Sequence, residues 1–238
     1  MFYTPNIETV HELPQEEAAH CSRVLRKREG DCITLTDGKG HFFEATITAA
    51  NPKRVLFQID TEENQAPLWN KKIHLAVAPT KNMDRNEWLA EKATEIGFDH
   101  LTFIKCKHSE RKVIKRDRIE KIMISAMKQS LKARLPQLDD MVEFKKFVQQ
   151  DFSGQKFIAY CYSEGAEGLP VRTELQDLID PLQDSLVLIG PEGDFSEEEI
   201  QMAFDCGFLP ILLGPSRLRT ETAALAAVHI MNLTHRKK

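Results

Sequence analysis

The hydrophobic pattern of the chain changes once, near residue 65, and this change constrains the fold more than any other feature. Before it, apolar and polar residues alternate, as around Ile33 and Phe43, and this period of two is typical of half-buried strands. After it, short apolar runs alternate with stretches of helical spacing, which predicts parallel strands joined by helices. A chain of 238 residues is long enough for both arrangements. The predicted fold class is therefore α/β, with a small β-rich domain in front of it.

The first domain is predicted over residues 1–68 as a small β-barrel. Helical spacing runs from Glu16 to Leu25, and three alternating runs around Ile33, Ala45 and Phe57 follow it. The polar stretch 62–67 has no periodicity, so it is interpreted as the linker to the second domain.

The second domain is predicted over residues 71–238 as a parallel sheet with helices on both faces. Its predicted strands are Ile73–Ala78, Leu101–Ile104, Phe157–Cys161, Ser185–Ile189 and Pro210–Leu213, and its clearest helices are Asp84–Ile96, Arg116–Leu131 and Thr220–Thr234. Capping boxes are expected at Asp84 with Glu87 and at Ser196 with Glu199. The last helix has almost no polar face, so it is either a core helix of the domain or a subunit interface.

Positive charge is concentrated in the middle of the chain. The net charge is −4, yet residues 71–134 contain 16 basic and 8 acidic side chains. Clustered Lys and Arg residues favour a polyanionic partner, because neutralising phosphates releases counterions. A solvated helix face is the alternative explanation for the same charges.

Several classes of protein are excluded by missing patterns. No apolar run approaches the roughly 18 residues of a membrane span, and the first residues lack the features of a secretion signal. The five cysteines are scattered and the eight histidines are not at metal-ligand spacing, so neither disulfides nor a metal site is expected and a cytoplasmic location is predicted. The motifs of dinucleotide-binding folds, P-loops, zinc proteases and serine hydrolases are absent.

Two loops that follow predicted strands carry the candidate chemistry, since ligands of parallel sheets bind where the strands end. The first is Gly190–Phe195, where two glycines around a proline make a stiff turn with exposed backbone groups. The second is Leu212–Thr222. There, Thr220 as a helix cap and Glu221 in the first turn have a structural explanation. Arginines at a helix N-terminus oppose the helix dipole, so those at 217 and 219 point to a functional site.

These two loops carry motifs that identify a family. The segments Gly190–Ser196 and Leu213–Ala223 together closely resemble the bacterial 16S ribosomal RNA (uracil N3) methyltransferases of the SPOUT class. Weaker similarities extend over nearly the whole chain. They are His20, Val24–Arg26, Gly30–Asp31 and Asp37–Gly38 for an N-terminal PUA-like barrel, Lys92–Gly97 for the first catalytic-domain helix, and Gln129–Pro136 for an RNA-facing segment.

The resemblance implies a C-terminal SPOUT-type trefoil knot, a homodimer formed through the C-terminal domain, and S-adenosyl-L-methionine as cofactor. Three loops, Tyr162–Gly165, Gly190–Gly193 and Leu213–Leu218, would hold the cofactor. Its binding residues would be Ile189, Gly190, Pro191, Glu192, Gly193, Leu213, Gly214, Ser216 and Leu218. The implied reaction is methylation of N3 of uridine 1498 of 16S rRNA within the small ribosomal subunit, with no metal, DNA or membrane partner.

Roles follow for the remaining candidate residues. Uracil N3 must lose its proton as the methyl group arrives, so charge grows on the uracil oxygens; Arg219 is the candidate to stabilise it. Glu221 is the candidate proton acceptor, or the residue that orients this arginine. The candidate RNA contacts are Arg26, Lys107, Arg111, Lys112, Gln129, Lys132 and Arg134.

The chain departs from the family pattern at three places. Asp194 stands where a glycine is usual, Lys132 stands where an arginine is usual, and an expected arginine near the N-terminus is missing. Two other functions stay open: a non-catalytic RNA-binding or ribosome-assembly factor, and a SPOUT methyltransferase that acts on another RNA position, such as a ribose hydroxyl.

Overall fold

The computed structural model describes residues 1–161 and 170–236. The chain divides into two compact units. The first comprises Met1–Pro67 with Ile124–Leu135, and the second comprises Leu68–Met123 with Pro136–Lys238. The segment 124–135 is thus grouped with the first unit, although the sequence-based boundary placed it in the second domain.

The first unit is built on a four-stranded sheet in the order β1-β2-β3-β4. These strands are Phe2–Tyr3, Cys32–Thr36, His41–Asn51 and Arg54–Asn64. The strand β1 is parallel to β2, and the remaining pairs are antiparallel. Side chains at alternate positions, such as Ile33, Leu35, Phe43, Ala45 and Ile47, are buried, which confirms the predicted period of two.

The linker prediction is wrong for its first three residues. Residues Glu62, Glu63 and Asn64 pair with β3 as the end of β4. Their side chains are polar because this end of the strand is exposed on both faces, so the burial pattern that marks a strand in sequence is absent there.

The predicted N-terminal helix is present but changes its winding. It begins as α1, Gln15–Ala19, and continues as a π-helical turn from His20 to Val24. Arg26 follows with a φ of 53°, a left-handed conformation that is uncommon for a residue other than glycine.

The second unit contains a parallel sheet in the order β10-β12-β9-β11-β5-β6-β7, with β8 paired to β6. The strands are β5 Ile73–Val77, β6 His100–Lys105, β7 Gln137–Leu138, β8 Val142–Glu143, β9 Gln155–Ala159, β10 Thr173–Glu174, β11 Ser185–Ile189 and β12 Leu209–Leu212. All five residues of β11 are buried, as expected for a strand covered on both faces.

Five helices of the described part of the chain lie within this unit. They are α2 Met83–Ile96, α4 Phe144–Val148, α5 Leu175–Leu178, α6 Glu197–Asp205 and α7 Thr220–His235. A further helix, α3 Arg116–Gln129, begins in this unit and ends among the residues grouped with the first unit. Along β11, Leu186 packs in one core with Phe144 of α4 and Ile200 of α6, whereas the Ser185 hydroxyl lies 3.0 Å from the ring of His235 of α7. Helices therefore cover both faces of the sheet, as predicted.

The two predicted capping boxes have different outcomes. The Ser196 and Glu199 box is confirmed, with both reciprocal hydrogen bonds present. The Asp84 and Glu87 box is wrong, because α2 begins earlier. The side chain of Asn82 is the cap there and accepts a hydrogen bond from the Asp84 amide at 2.9 Å.

The apolar helix α7 is buried on one side. Ala224, Ala227, Val228 and Met231 are fully buried where α7 packs against α2 and β5. The opposite side, including Leu233, is exposed in the single chain. Among the described residues, no helix has the length and apolar character to cross a membrane.

Candidate active site

A cavity of about 630 Å³ lies at the carboxyl edge of the parallel sheet. Ala159 and Ile189, the last residues of β9 and β11, and Leu212, the last residue of β12, are among its lining residues. This is the edge where ligands of open α/β sheets bind, and the volume suits one small organic molecule.

Eight of the nine predicted cofactor residues line this cavity. They are Ile189, Gly190, Pro191, Glu192, Leu213, Gly214, Ser216 and Leu218. The ninth, Gly193, lies against His108 instead, since a Cβ added at Gly193 would be 3.1 Å from the His108 Cβ. The predicted loop Tyr162–Gly165 lies outside the described residues, but Tyr160 and Cys161 before it line the cavity.

The loop after β11 is tied to the start of α7. The Thr220 hydroxyl donates a hydrogen bond to the Gly190 carbonyl at 3.0 Å. The expectation that Thr220 caps α7 is therefore wrong: Arg219 holds the cap position without a side-chain cap bond, and the Thr220 hydroxyl is used between the loops. At Gly190 itself, an added Cβ would be 3.1 Å from the Phe195 ring, so a larger residue would disturb the loop.

Asp194 adopts the conformation that a glycine would otherwise supply. Its φ is 63°, and aspartate is one of the few residues that tolerate this region. Its carboxylate accepts hydrogen bonds from the Phe195 amide at 2.8 Å and from the Cys161 amide at 2.7 Å. The side chain thereby joins the loop after β11 to the end of β9.

Four arginines surround the cavity. Arg217 and Arg219 were predicted from the sequence, and Arg85 and Arg172 were not. Arg172 donates to the Tyr160 carbonyl at 2.6 Å and lies 5.2 Å from the centre of the Tyr160 ring. Glu192 and Asp194 also line the cavity, so its wall presents charges of both signs to a ligand.

Glu221 is a buried carboxylate next to this arginine cluster. It is 7% exposed, and its Oε1 lies 3.7 Å from Nε of Arg85. Its Oε2 is buried without a hydrogen-bond partner in the described part of the chain. Glu221 is not among the residues that line the cavity, and its ion pair is with Arg85, which does line it.

Cys161 is a poor candidate for a nucleophile. Burial and then the charge of Asp194 raise the pKa of its thiol, and the thiol rather than the thiolate is the unreactive form. Within residues 1–161 and 170–236 no group of His, Cys, Asp and Glu side chains is arranged to hold a metal ion.

The predicted RNA contacts differ in how accessible they are. Arg26, Lys112 and Gln129 are exposed, and Lys107 is exposed with its ammonium 3.2 Å from Glu198. Lys132 is only 8% exposed and donates to the Ser130 hydroxyl, so it does not present its charge to a ligand in this structure.

The other two arginines of the predicted set bind backbone carbonyls. Arg134 donates to the Lys39 carbonyl at 2.8 Å and Arg111 donates to the carbonyls of Thr80 and Lys81. Arg134 is nevertheless exposed, whereas Arg111 is partly buried. Charge counting in a sequence cannot show which arginines are held by backbone carbonyls.

Comparison with known proteins agrees with this architecture. A family model described as RNA methyltransferase domain matches residues 67–232, and one described as RNA methyltransferase PUA domain matches residues 13–60. A probable rRNA-methyltransferase from Porphyromonas gingivalis is 42% identical, with a TM-score of 0.91 over 98% of this chain and 97% of that one.

Two further relatives carry a more specific name. The crystal structure of a ribosomal RNA small subunit methyltransferase E from Neisseria gonorrhoeae, bound to S-adenosyl methionine, has a TM-score of 0.83 and 29% identity over 98% of this chain and 96% of that chain. Ribosomal RNA small subunit methyltransferase E of Bacillus subtilis (strain 168) is 27% identical over 224 residues, which are 90% of this chain and 86% of that protein. With the methyltransferase model covering more than half of its length, the chain belongs to the family of RNA methyltransferases that carry an N-terminal PUA domain.

Proposed function

We propose that this protein transfers a methyl group from S-adenosylmethionine to N3 of one uridine in the 16S rRNA of the small ribosomal subunit. The observation that carries the proposal is the cavity at the carboxyl edge of the sheet, formed by the same two loops whose motifs resemble the uracil N3 methyltransferases. The relatives named for small-subunit rRNA methylation, one of them bound to S-adenosyl methionine, support it.

The residues present fit this cofactor. The cavity of about 630 Å³ is large enough for it, and a Cβ at Gly190 would close part of the loop onto Phe195. The loops at 190–192 and 213–216 line the cavity, and their backbone groups would hold the cofactor there. When bound, S-adenosylmethionine supplies a methyl group on a positively charged sulfur, ready for attack by a nucleophile.

The chain's own residues would position the uracil and match its changing charge. Positioning alone supplies several kcal/mol of the barrier when reacting atoms are held about 3 Å apart. N3 would lose its proton to water as it accepts the methyl group, and the negative charge that develops on the base would be shared by the uracil oxygens. The bound cofactor would supply the methyl group and leave as an uncharged thioether. Arg219, at the cavity wall, is assigned to stabilise that charge.

Glu221 is assigned as a positioning residue. Its carboxylate lies beside Arg85, whose guanidinium lines the cavity. An ion pair with a buried carboxylate limits the orientations of the arginine. Glu221 therefore aims Arg85 toward the ligand, and the role of proton acceptor is not assigned to it.

The substrate would be an unpaired or extruded uridine, because N3 lies on the Watson–Crick edge of the base. Exposed basic side chains on the catalytic unit, such as Lys107, Lys112 and Lys115, would follow the RNA phosphates. The first unit contributes Arg26 and Gln129 as its exposed candidates.

The protein would act as a homodimer in the cytoplasm. Leu233 of α7 is 50% exposed and Trp88 of α2 is 45% exposed, and these two helices pack side by side. Apolar side chains exposed on adjacent helices favour association with a second copy. The five cysteines are free thiols, which suits a reducing compartment.

The deciding experiment is methyl transfer from radiolabelled S-adenosylmethionine to small ribosomal subunits that lack this modification, with naked 16S rRNA in parallel. Mass spectrometry should locate one methyl group at N3 of a single uridine, with subunits labelled more than naked RNA. Cofactor binding without transfer would indicate another RNA position. A protein that binds RNA but no cofactor would be an assembly factor.

A further inference from the structure

Arg111 belongs to the basic segment after β6, but its guanidinium faces the protein. Its Nη2 donates to the Lys81 carbonyl at 2.6 Å. Its Nε lies 3.2 Å from the carbonyls of both Thr80 and Lys81. The planar fork of a guanidinium fits two neighbouring acceptors in this way, and the single ammonium of a lysine does not.

The turn that Arg111 holds is connected to the cofactor loop. The Lys81 amide donates to Oε1 of Glu192 at 2.9 Å, and Glu192 lines the cavity. The turn is itself fixed on its other side, because the Thr80 amide donates to the buried side chain of Asn86 at 2.8 Å. A displacement of the turn would therefore move the side chain of Glu192 and the backbone that bears it.

The same segment also touches the cofactor loop directly. Nδ1 of His108 lies 3.1 Å from the carbonyls of Gly193 and Asp194. The Lys107 amide donates to Glu199 at 2.8 Å, just beyond that loop. Residues 107–111 therefore contact both the turn after β5 and the loop after β11.

We propose that Arg111 is a positioning residue for S-adenosylmethionine, acting through the turn at Thr80 and Lys81 on Glu192, and that it is not a phosphate contact. The neighbouring Lys112 is exposed and takes the RNA contact that charge alone assigned to both residues. The inference rests on the proposed position of the cofactor in the cavity.

The test compares Arg111→Lys, which keeps the charge but loses the fork, with Lys112→Gln, which removes the charge of the exposed neighbouring residue. Both are made in the full chain, and the Kd values for S-adenosylmethionine and for 16S rRNA are measured. We expect R111K to raise the cofactor Kd about 10-fold, as the loss of one or two hydrogen bonds would, with the salt dependence of RNA binding unchanged. We expect K112Q to leave the cofactor Kd unchanged and to weaken RNA binding with a shallower salt slope.

A double-mutant cycle separates positioning from a general structural effect. If Arg111 acts through Glu192, the effects of R111K and Glu192→Ala on the cofactor Kd will be non-additive, because each breaks the same path and alanine removes the acceptor of the Lys81 amide. Additive effects, or a normal cofactor Kd in R111K, would overturn the inference. Thermal melting ensures that Kd values are measured on folded protein.

A third variant distinguishes failure of the inference from failure of the proposed cofactor site. Ala223 lines the cavity from α7, so Ala223→Met should fill part of it and weaken cofactor binding. If A223M weakens binding and R111K does not, only the role of Arg111 is wrong. If neither variant changes the cofactor Kd, the proposed cofactor position is wrong and the inference fails with it.

Discussion

Asp194 shows how one residue of this site meets a backbone requirement that a glycine meets in the family pattern. Asp194 keeps the left-handed backbone of a glycine and accepts two hydrogen bonds, one from Phe195 within the loop after β11 and one from Cys161 that binds this loop to the end of β9. The sequence showed that this position departs from the family. It could not show the compensation, because the Cys161 amide is 33 residues away along the chain.

Replacing Asp194 tests whether this bridge orders the cofactor loops. Asp194→Gly keeps the backbone conformation but loses both acceptors, so we expect cofactor affinity to fall about 10-fold. Asp194→Asn retains one carbonyl acceptor, so its affinity for the cofactor should lie between that of the unchanged protein and that of D194G. Isothermal titration with S-adenosylmethionine measures the effect, and equal affinity in D194G would show that the bridge is dispensable.

The position of Glu221 leads us to expect that its replacement by glutamine changes stability and activity in opposite directions. Its Oε2 is buried without a hydrogen-bond partner among the described residues, and its ion pair with Arg85 is long, at 3.7 Å. The cost of burying the carboxylate therefore exceeds the stabilisation that this pair supplies. Glu221→Gln should therefore raise the free energy of unfolding by about 1 kcal/mol. It should also lower kcat by about 10-fold or more, because Arg85 loses its ionic partner. Urea denaturation and single-turnover kinetics provide the two measurements, and a less stable variant with full activity would contradict the assignment.

Secondary-structure elements were predictable where local chemistry decides them. The Ser196 and Glu199 capping box is confirmed because both partners lie within one helical turn. The start of α2 was misplaced because Asn82, two residues before Asp84, already supplies the cap. The sequence did not predict that Arg85, in the first turn of α2, lies at the cavity. It comes there because β5, the strand before α2, is the neighbour of β11 in the sheet.

The lowered pKa of His74, on β5, leads to a prediction of how the stability of the protein depends on pH. Burial, and then the nearby charge of His100, lower the pKa of His74 to about 4 from 6.5, and its Nε2 lies 2.8 Å from the Thr102 hydroxyl. Because the unfolded chain binds a proton at a higher pH than the folded chain, stability is lost as the pH falls from about 6.5 to about 4.

The size of this loss can be measured by urea denaturation at pH 7.5 and pH 5. His74 should account for about 2 kcal/mol of the difference between the two pH values. His74→Gln, which cannot titrate, should show a correspondingly smaller difference. Asp139 does not interfere in this range: burial raises its pKa, but hydrogen bonds from His100, Thr102 and Gln137 lower it to about 2. An unchanged pH dependence in H74Q would refute the assignment.

At the scale of the whole molecule, the two-part organisation could be read from the change in hydrophobic period, and the family from two loop motifs. The grouping of Ile124–Leu135 with the first unit could not. That grouping depends on contacts far apart in sequence, such as the Ala133 carbonyl, which accepts a hydrogen bond from the Gly40 amide. The helical periodicity of the sequence ends with α3 whichever unit the next residues belong to. The periodicity therefore cannot predict which unit they join.

The exposed side of α7 leads to a prediction about assembly. Thr222, His229 and Leu233 lie at spacings of seven and four residues, which place them on one face of the helix. Leu233 is the large apolar residue of this face that is 50% exposed, and its substitution leaves the buried side untouched. Leu233→Asp should therefore convert a dimer into a folded monomer, because two carboxylates would face each other across a symmetric interface. Sedimentation equilibrium gives the mass, and circular dichroism confirms the fold. A dimer that persists in L233D at micromolar concentration would place the interface elsewhere and would show that this face of α7 is not part of it.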